Sequence, residues 1–380
     1  MGRNIFLLVV LLQLAVSLQN RIRAQLNDGP YVRYSGDAAK VLSVADGKPM
    51  VTVFPESVKQ DRQIGISFPG QPEWNFSVSL RGISDQSVAD KEGLKPEPSV
   101  FEQPQKLFLI SDVEGEFAAL RSLLIAGKVM DEKYNWIYGR GHLVICGDLF
   151  DRGKNVVEGL WLLYRLEQLA KDAGGYVHVI LGNHDIMNLS GDLRYLDAKY
   201  LQSAKVLGLD YMQLYDSSTE LGRWLRSKNI IEKIGDLLCM HAGISPSLNK
   251  LGLDVAQLNA LARPYFDKAK RGSALREAIK DTVAIKLFEG KTSPFWYRGY
   301  FMKPKASMED VEQTLKLFGV RHIVVGHTIV RGNIGFRYKG RVLGLDVDQH
   351  EGDHWAAVYE NGVWQKINDK GKRKTLKLNK

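Results

Sequence analysis

The sequence predicts an α/β fold preceded by a smaller β-rich region, and three observations carry that reading. Between residues 106 and 183 the short apolar runs "KLFLI", "HLVIC" and "YVHVI" alternate with amphipathic segments of helical length. Strands that read as unbroken hydrophobic runs are buried on both faces, as in a largely parallel sheet covered by helices. Before residue 100, β-branched and aromatic residues alternate or cluster between Gly and Pro breaks, the pattern of short strands. A Pro-rich stretch over residues 91–106, "KEGLKPEPSVFEQPQK", separates the two regions and reads as a linker.

At 380 residues and 44% hydrophobic content the chain suits one large domain with an appendage, and its composition excludes a disordered protein. At the N-terminus, Arg3 precedes the apolar run "IFLLVVLLQLAVSL" and then "QNRIRAQ". This 14-residue, mostly apolar run falls short of the roughly 20 residues that span a bilayer and suits a signal-peptide core. Cleavage after Ala24 leaves Gln25 first, with cleavage after Ser17 as the rival. Residues 1–24 are therefore set aside as a signal peptide, and a periplasmic or secreted protein is expected, a membrane anchor being the alternative. No cysteine lies near the cut, which argues against a lipoprotein.

Residues 25–105 form the β-rich extension and linker, with strands expected in "KVLSVADGKPMVTVF", "RQIGISFPG" and "WNFSVSLRGI". The main domain is expected over residues 106–365. Its helices are "EGEFAALRSLLIAGKV" and "VVEGLWLLYRLEQLAKDAGG", the second closed by Gly174 and Gly175. Later, "EKIGDLLCMHAG" and "VRHIVVGHT" each deliver a strand into a polar loop. "FRYKGRVLGLD" and "HWAAVYENGVWQKI" read as hairpins turning at Lys339-Gly340 and Asn361-Gly362. Cys146 and Cys239 lie in apolar strands and read as buried free thiols. Of the formal charge of +9, three units sit on Arg3, Arg21 and Arg23, and residues 366–380 hold seven basic residues and one acid. That basic tail reads as a solvated, frayed end, and no nucleic-acid module is apparent.

The chemistry is carried by five loops at strand ends, where open α/β sheets place ligands: "SDVEG", "GDLFDRG", "GNHD", "HAG" and "GHT". They supply Asp112, Glu114, Asp148, Asn183, His241 and His327, oxygen and nitrogen donors suited to divalent metals. One such residue after a strand has an ordinary turn or capping explanation. Five in succession have none. Two metals roughly 3.5–4 Å apart need a bridging carboxylate, and together they activate water and clamp a phosphoryl oxygen. Asp148 is the natural bridge, with Asn183, His241 and His327 completing one metal and Asp112 and Glu114 serving the other.

This set resembles the calcineurin-like metallophosphoesterases, and within them the phosphoprotein phosphatases with GDxHG, GDxxDRG, GNH, HAG and GHT loops. "GNHDIMNLSGDLRYL" and "SPFWYRGY" are similar to segments of the Shewanella-like, bacterial-type protein phosphatases. The resemblance covers roughly residues 106–346. It implies a β-sandwich core flanked by helices and a dinuclear site holding two divalent ions among Mn, Fe, Zn and Mg. It also implies roles: His184 as the acid that protonates the leaving oxygen, Asp151 as its orienting carboxylate, and Arg152 and Arg298 as phosphate clamps. Arg194 is a further pocket candidate.

Two departures from the family pattern stand out. Glu114 occupies the position of a histidine; as a hard oxygen ligand it favours Mn, Fe or Mg over Zn. Asp185 replaces a glutamate. The crowded "LDVDQHEGDHW", with Asp348, His350, Asp353 and His354, reads either as pocket lining or as a polar turn. His142, His178 and His322 read as structural. The expected protein is an exported metal-dependent phosphatase of phosphoproteins or small phosphomonoesters, in which a metal-bound hydroxide attacks phosphorus directly. The alternatives are a nucleotide or dinucleotide phosphohydrolase and a catalytically silent phosphate-binding module.

Overall fold

The computed structural model describes residues 26–35, 38–54, 62–82, 95–330 and 334–378. The expected signal peptide and residues 91–94 of the Pro-rich stretch lie outside the described residues. The chain divides into two compact units.

In the N-terminal unit, β1 (Asp28–Ser35), β2 (Ala38–Ala45) and β3 (Lys48–Phe54) form an antiparallel sheet in that order. β4 (Arg62–Phe68) pairs with β5 (Gln71–Leu80) as a separate ribbon. Strand alternation buries Ile64, Ile66 and Phe68 from one strand and Phe76, Val78 and Leu80 from the other. Asp197–Gly222 belongs to this unit, not to the main domain where the sequence reading placed it. Its helix Ala198–Val206 carries Lys199, which lies 3.5 Å from the buried Asp28, and Tyr34 N donates to Ser218 O. A return of the chain over so long a separation leaves no local sequence signal.

The second unit is a sandwich of two six-stranded sheets. Its strands are β6 (Val100–Phe101), β7 (Lys106–Ile110), β8 (His142–Cys146), β9 (Tyr176–Ile180), β10 (Ile231–Ile234) and β11 (Leu237–Met240). They continue as β12 (His322–Val325), β13 (Gly335–Arg337), β14 (Val342–Gly344), β15 (Trp355–Glu360), β16 (Val363–Asn368) and β17 (Arg373–Thr375). One sheet runs β17-β16-β15-β7-β8-β9 and the other β13-β14-β12-β11-β10-β6. Leu107, Leu109, Val144 and Cys146 from the first meet Leu237, Cys239, Val324 and Leu343 from the second in one buried core. The alternate residues Phe108 and Ile110 are buried on the other face, Phe108 against Gly127 just beyond helix α1 (Phe117–Ala126). This explains why these strands are apolar throughout. Further helices are α2 (Val156–Asp172) and α3 (Asn183–Ser190).

Four expectations need correction. β7, β8 and β9 are parallel as read, but β15, β16 and β17 extend that sheet antiparallel, so each sheet is mixed. "EKIGDLLCM" is not one strand but the hairpin β10–β11, turning at Gly235-Asp236. The Pro-rich stretch is not purely a linker: Val100–Phe101 pairs parallel to Lys233 and Ile234, and its flanking prolines keep it to two residues. The basic tail is not frayed either, since Arg373–Thr375 pairs with Gln365–Ile367. Arg373 and Lys374 on this edge strand keep one side in water while the backbone closes the sheet.

Candidate active site

The five loops converge at one edge of the sandwich. Backbone hydrogen bonds lock the first two together: Asp112 N donates to Gly147 O, Glu114 N to Asp148 O and Gly153 N to Glu114 O. Asp185 fastens the third to the second. Its carboxylate accepts from Gly182 N at 2.7 Å, Leu149 N at 2.8 Å and Asp148 N at 3.1 Å. The glycines are required by closeness. A Cβ on Gly147, which has φ +86°, would stand 2.5 Å from His241 Nδ1, and one on Gly182 would overlap the Asp148 carboxylate. Asp112, Glu114, Asp148, Asp151, Arg152 and His327 all hold positive φ. Six non-glycine residues in that sparsely populated region form a cluster of stored strain of the kind that marks functional sites.

The side chains then fall into place. His184 N donates to Asp148 Oδ1 at 2.9 Å, and His327 N donates to Asp112 Oδ2 at 3.0 Å, so two loops aim two carboxylates. His241 Nδ1 donates to Cys146 O at 2.9 Å, which turns its Nε2 lone pair toward Asp148 Oδ2 at 3.1 Å and His327 Nδ1 at 3.2 Å. The Asn183 amide lies 2.8 Å from the same Nε2. Asp148, His241 and His327 make one buried group able to hold a metal ion; Asp148 also stands with Glu114 in a second cluster that includes His184, whose ring Asp151 holds through Nδ1. The shared carboxylate is the one the sequence assigns as bridge.

These residues fit divalent ions. His327 Nε2 is buried without a hydrogen-bond partner among the described residues. Burial, followed by Asp346, Asp148 and Glu114, pushes the Asp112 carboxyl well above the usual range. Burial and then Asp148 push Glu114 up to about 8, and burial pushes Asp346 up to about 6. Carboxylates crowded and buried in this way are a cation site by charge, and mixed imidazole, amide and carboxylate donors suit borderline to hard divalent metals.

Beside them sits the acid. His184 Nδ1 donates to Asp151 Oδ2 at 2.6 Å, and Asp151 Oδ1 accepts from Asn188 Nδ2 at 2.7 Å. His184 Nε2 faces the cleft, 3.7 Å from Glu114 Oε1 and 3.9 Å from Asp148 Oδ2. Burial lowers the affinity of this imidazole for its proton, but the charge of Asp148 and the Asp151 hydrogen bond outweigh it and lift the pKa to about 9. The neighbouring carboxylates thus favour the protonated ring.

A cleft of about 140 Å³ holds Asp112, Glu114, Asp148, Asn183, His184 and His327 together with Arg152 and Arg298. Arg298 is anchored by donating from Nη1 to His327 O at 2.7 Å. Arg152 Nε lies 2.7 Å from Glu114 Oε1, so the glutamate points into the cleft and one clamp is paired to it. Arg194 is not brought in: its side chain is exposed and paired with Asp192 at 2.6 Å. In the crowded loop Asp346 and Asp348 line the cleft, while His350 pairs with Glu116 and His354 with Asp369. His178 and His142 form a chain with Glu232, at 2.6 and 2.9 Å.

The sequence reading missed Asp346, Tyr195, Trp296 and Asn188. Asp346 follows the apolar strand "RVLGL", the same signal as the other five loops. Asn188 lies one turn after His184 on α3, a spacing that puts both on one face. Tyr195, whose ring centroid is 5.1 Å from that of His184, has no such signal.

A cleft with this donor set, a carboxylate-held imidazolium and two guanidinium groups is that of a metal-dependent phosphoesterase. The family profile of calcineurin-like phosphoesterases matches residues 106–331, and the chain belongs to that family: it is a phosphatase whose family uses a dinuclear divalent metal site. It is 24% identical over 297 residues to Shewanella-like protein phosphatase 2 of Arabidopsis thaliana, covering 66% of this chain and 73% of that protein. Among solved structures it is similar to the cold-active protein-tyrosine phosphatase of a psychrophilic Shewanella species. That match has 32% identity and a TM-score of 0.79 over 92% of this chain and 99% of the other. A symmetrical bis(5'-nucleosyl)-tetraphosphatase of Buchnera aphidicola is 31% identical over 157 residues, 40% of this chain and 49% of that protein.

Proposed function

We propose that the chain is an exported phosphoprotein phosphatase that hydrolyses phosphomonoesters on protein side chains, phosphotyrosine among them. The single observation that carries the catalytic part is the His184–Asp151 pair, 2.6 Å apart, with His184 Nε2 turned to the carboxylates of the cleft. Asp112, Glu114, Asp148, Asn183, His241 and His327 would hold the metals. When bound, they supply Lewis acidity toward a phosphoryl oxygen and lower the pKa of a water molecule.

The chain's own residues do the rest. Arg298 and Arg152 grip phosphoryl oxygens, each guanidinium able to take two at once. Asp151 fixes the His184 ring through Nδ1, and His184 gives the proton on Nε2 to the ester oxygen as the P–O bond breaks. The phosphoryl group passes to water, leaving orthophosphate and the free hydroxyl. Glu114, a hard ligand where the family has histidine, favours Mn or Fe at its metal. The likeness to proteins named as protein phosphatases supports a phosphoprotein substrate. The leader-like residues 1–24 support export, and N-terminal sequencing of protein recovered from outside the cytoplasm tests it: a chain still starting at Met1 contradicts cleavage.

His184→Asn should keep its metals and fold and lower kcat on an aryl phosphate by roughly 10²–10⁴. Unchanged turnover would overturn the assignment. A second reading, dinucleotide hydrolysis, is favoured by the Buchnera match and by the aromatic Tyr195 and Trp296 at the cleft. Dinucleoside tetraphosphate assayed against a phosphotyrosyl peptide decides between them.

A further inference from the structure

We propose that the cavity next to the catalytic cleft docks acidic residues that flank the phosphorylated side chain of a protein substrate. This inference rests on the phosphatase reading of the cleft. The cavity measures about 460 Å³ and shares Asn183, Trp296 and Arg298 with the cleft, so a chain bound in one continues into the other. The cleft alone, at about 140 Å³, takes a phosphoryl group and little beyond it, whereas the larger space falls in the range of ligand pockets.

Its lining has two characters. The floor is apolar, with buried Phe288 stacked on Phe295, their ring centroids 5.5 Å apart. The mouth is cationic: Lys270, Arg271, Lys291 and Lys303 are all exposed there. The single acid among the lining residues, Glu289, is already paired with Arg276, its Oε1 accepting from Nε at 2.6 Å. Lys270, Lys291 and Lys303 form no ion pair among the described residues. Arg271 lies 5.9 Å over the Trp296 ring, which itself stands edge-on to His327. One arginine thus links the basic mouth to the wall of the metal site.

Unpaired cations around an apolar floor attract an anionic, partly apolar chain, and electrostatic complementarity of this kind selects partners and speeds their capture. An extended phosphopeptide with carboxylates beside the phosphoresidue meets both demands. Its side chains pack on the floor while its acids meet the lysines. A basic flank places like charges at the mouth.

The test uses the full chain with its metals and three phosphopeptides identical except for Glu, Gly or Lys flanks, with an aryl phosphate alongside. The expected order of kcat/KM is acidic, neutral, basic, spread over roughly ten-fold. The spread should collapse at 1 M salt, where the screening length is about 3 Å. In the Lys270→Glu/Lys291→Glu double variant the order should reverse. Three peptides equal within two-fold, with the aryl phosphate still hydrolysed, would overturn the docking surface and leave the phosphatase reading standing. Preference for a dinucleoside polyphosphate over every peptide would overturn it in favour of a nucleotide pocket. Absence of turnover on any phosphate ester would overturn both.

Discussion

At the scale of single residues, Glu114 is the position where this chain tests its family's chemistry. Its carboxylate faces the cleft, in reach of Asp148 and His184, and also pairs with Arg152 at 2.7 Å. Both observations place the carboxylate in the cleft, among the candidate metal ligands. Glu114→His should therefore keep activity while shifting bound metal toward zinc, as read by elemental mass spectrometry, because imidazole is the softer ligand. Unaltered metal identity and activity would mean that the glutamate ligates nothing. Asp185 tests the loops instead. It accepts from four backbone N–H groups, those of Gly182, Asp148, Leu149 and Phe150, and buried donors stripped of a charged acceptor cost about 1.5–3 kcal/mol each. Asp185→Ala should lower unfolding free energy in urea by at least about 3 kcal/mol and weaken metal binding with it; a loss below 1 kcal/mol would contradict the staple.

At the scale of elements, β8 and β9 carry a pH response separate from catalysis. Burial, and then the neighbouring His178, push the His142 imidazole down to about 4. A depressed histidine is neutral in the fold and takes a proton more readily once unfolded. Its contribution is thus fully present above about 6.5 and is lost as pH falls toward 4. His142→Gln should flatten the fall in Tm across that window relative to the wild type, measured by calorimetry; parallel curves would contradict it. Elements with a local signature were legible in the sequence. The turns Asp46-Gly47 and Asn361-Gly362 carry the positive φ that their hairpins demand, and the uniformly apolar β7, β8 and β9 announced a sheet buried on both faces. What escaped was non-local. The edge strands β6 and β17 are too short to declare themselves, β17 being polar as well, and the partners that staple α3 to the cleft, Asp151 and Asn188, meet only in three dimensions.

At the scale of the whole molecule, the sandwich does one thing for function: it brings five strand ends, spread from Ile110 to Val325, to a single cleft. The candidate metal ligands were legible because each follows a buried strand, and Asp346 escaped despite carrying the same signal. The N-terminal unit, completed by Asp197–Gly222, had no such signature. The central claim is that this cleft holds two metals and that His184 is its acid. The most direct test is elemental mass spectrometry of the purified chain, run beside aryl phosphate turnover for the wild type and His184→Asn. Close to two metals per chain in both proteins, with metal-dependent turnover in the wild type alone, is the predicted result. Equal turnover in the two, or a metal-loaded wild type that hydrolyses no phosphate ester, would contradict it.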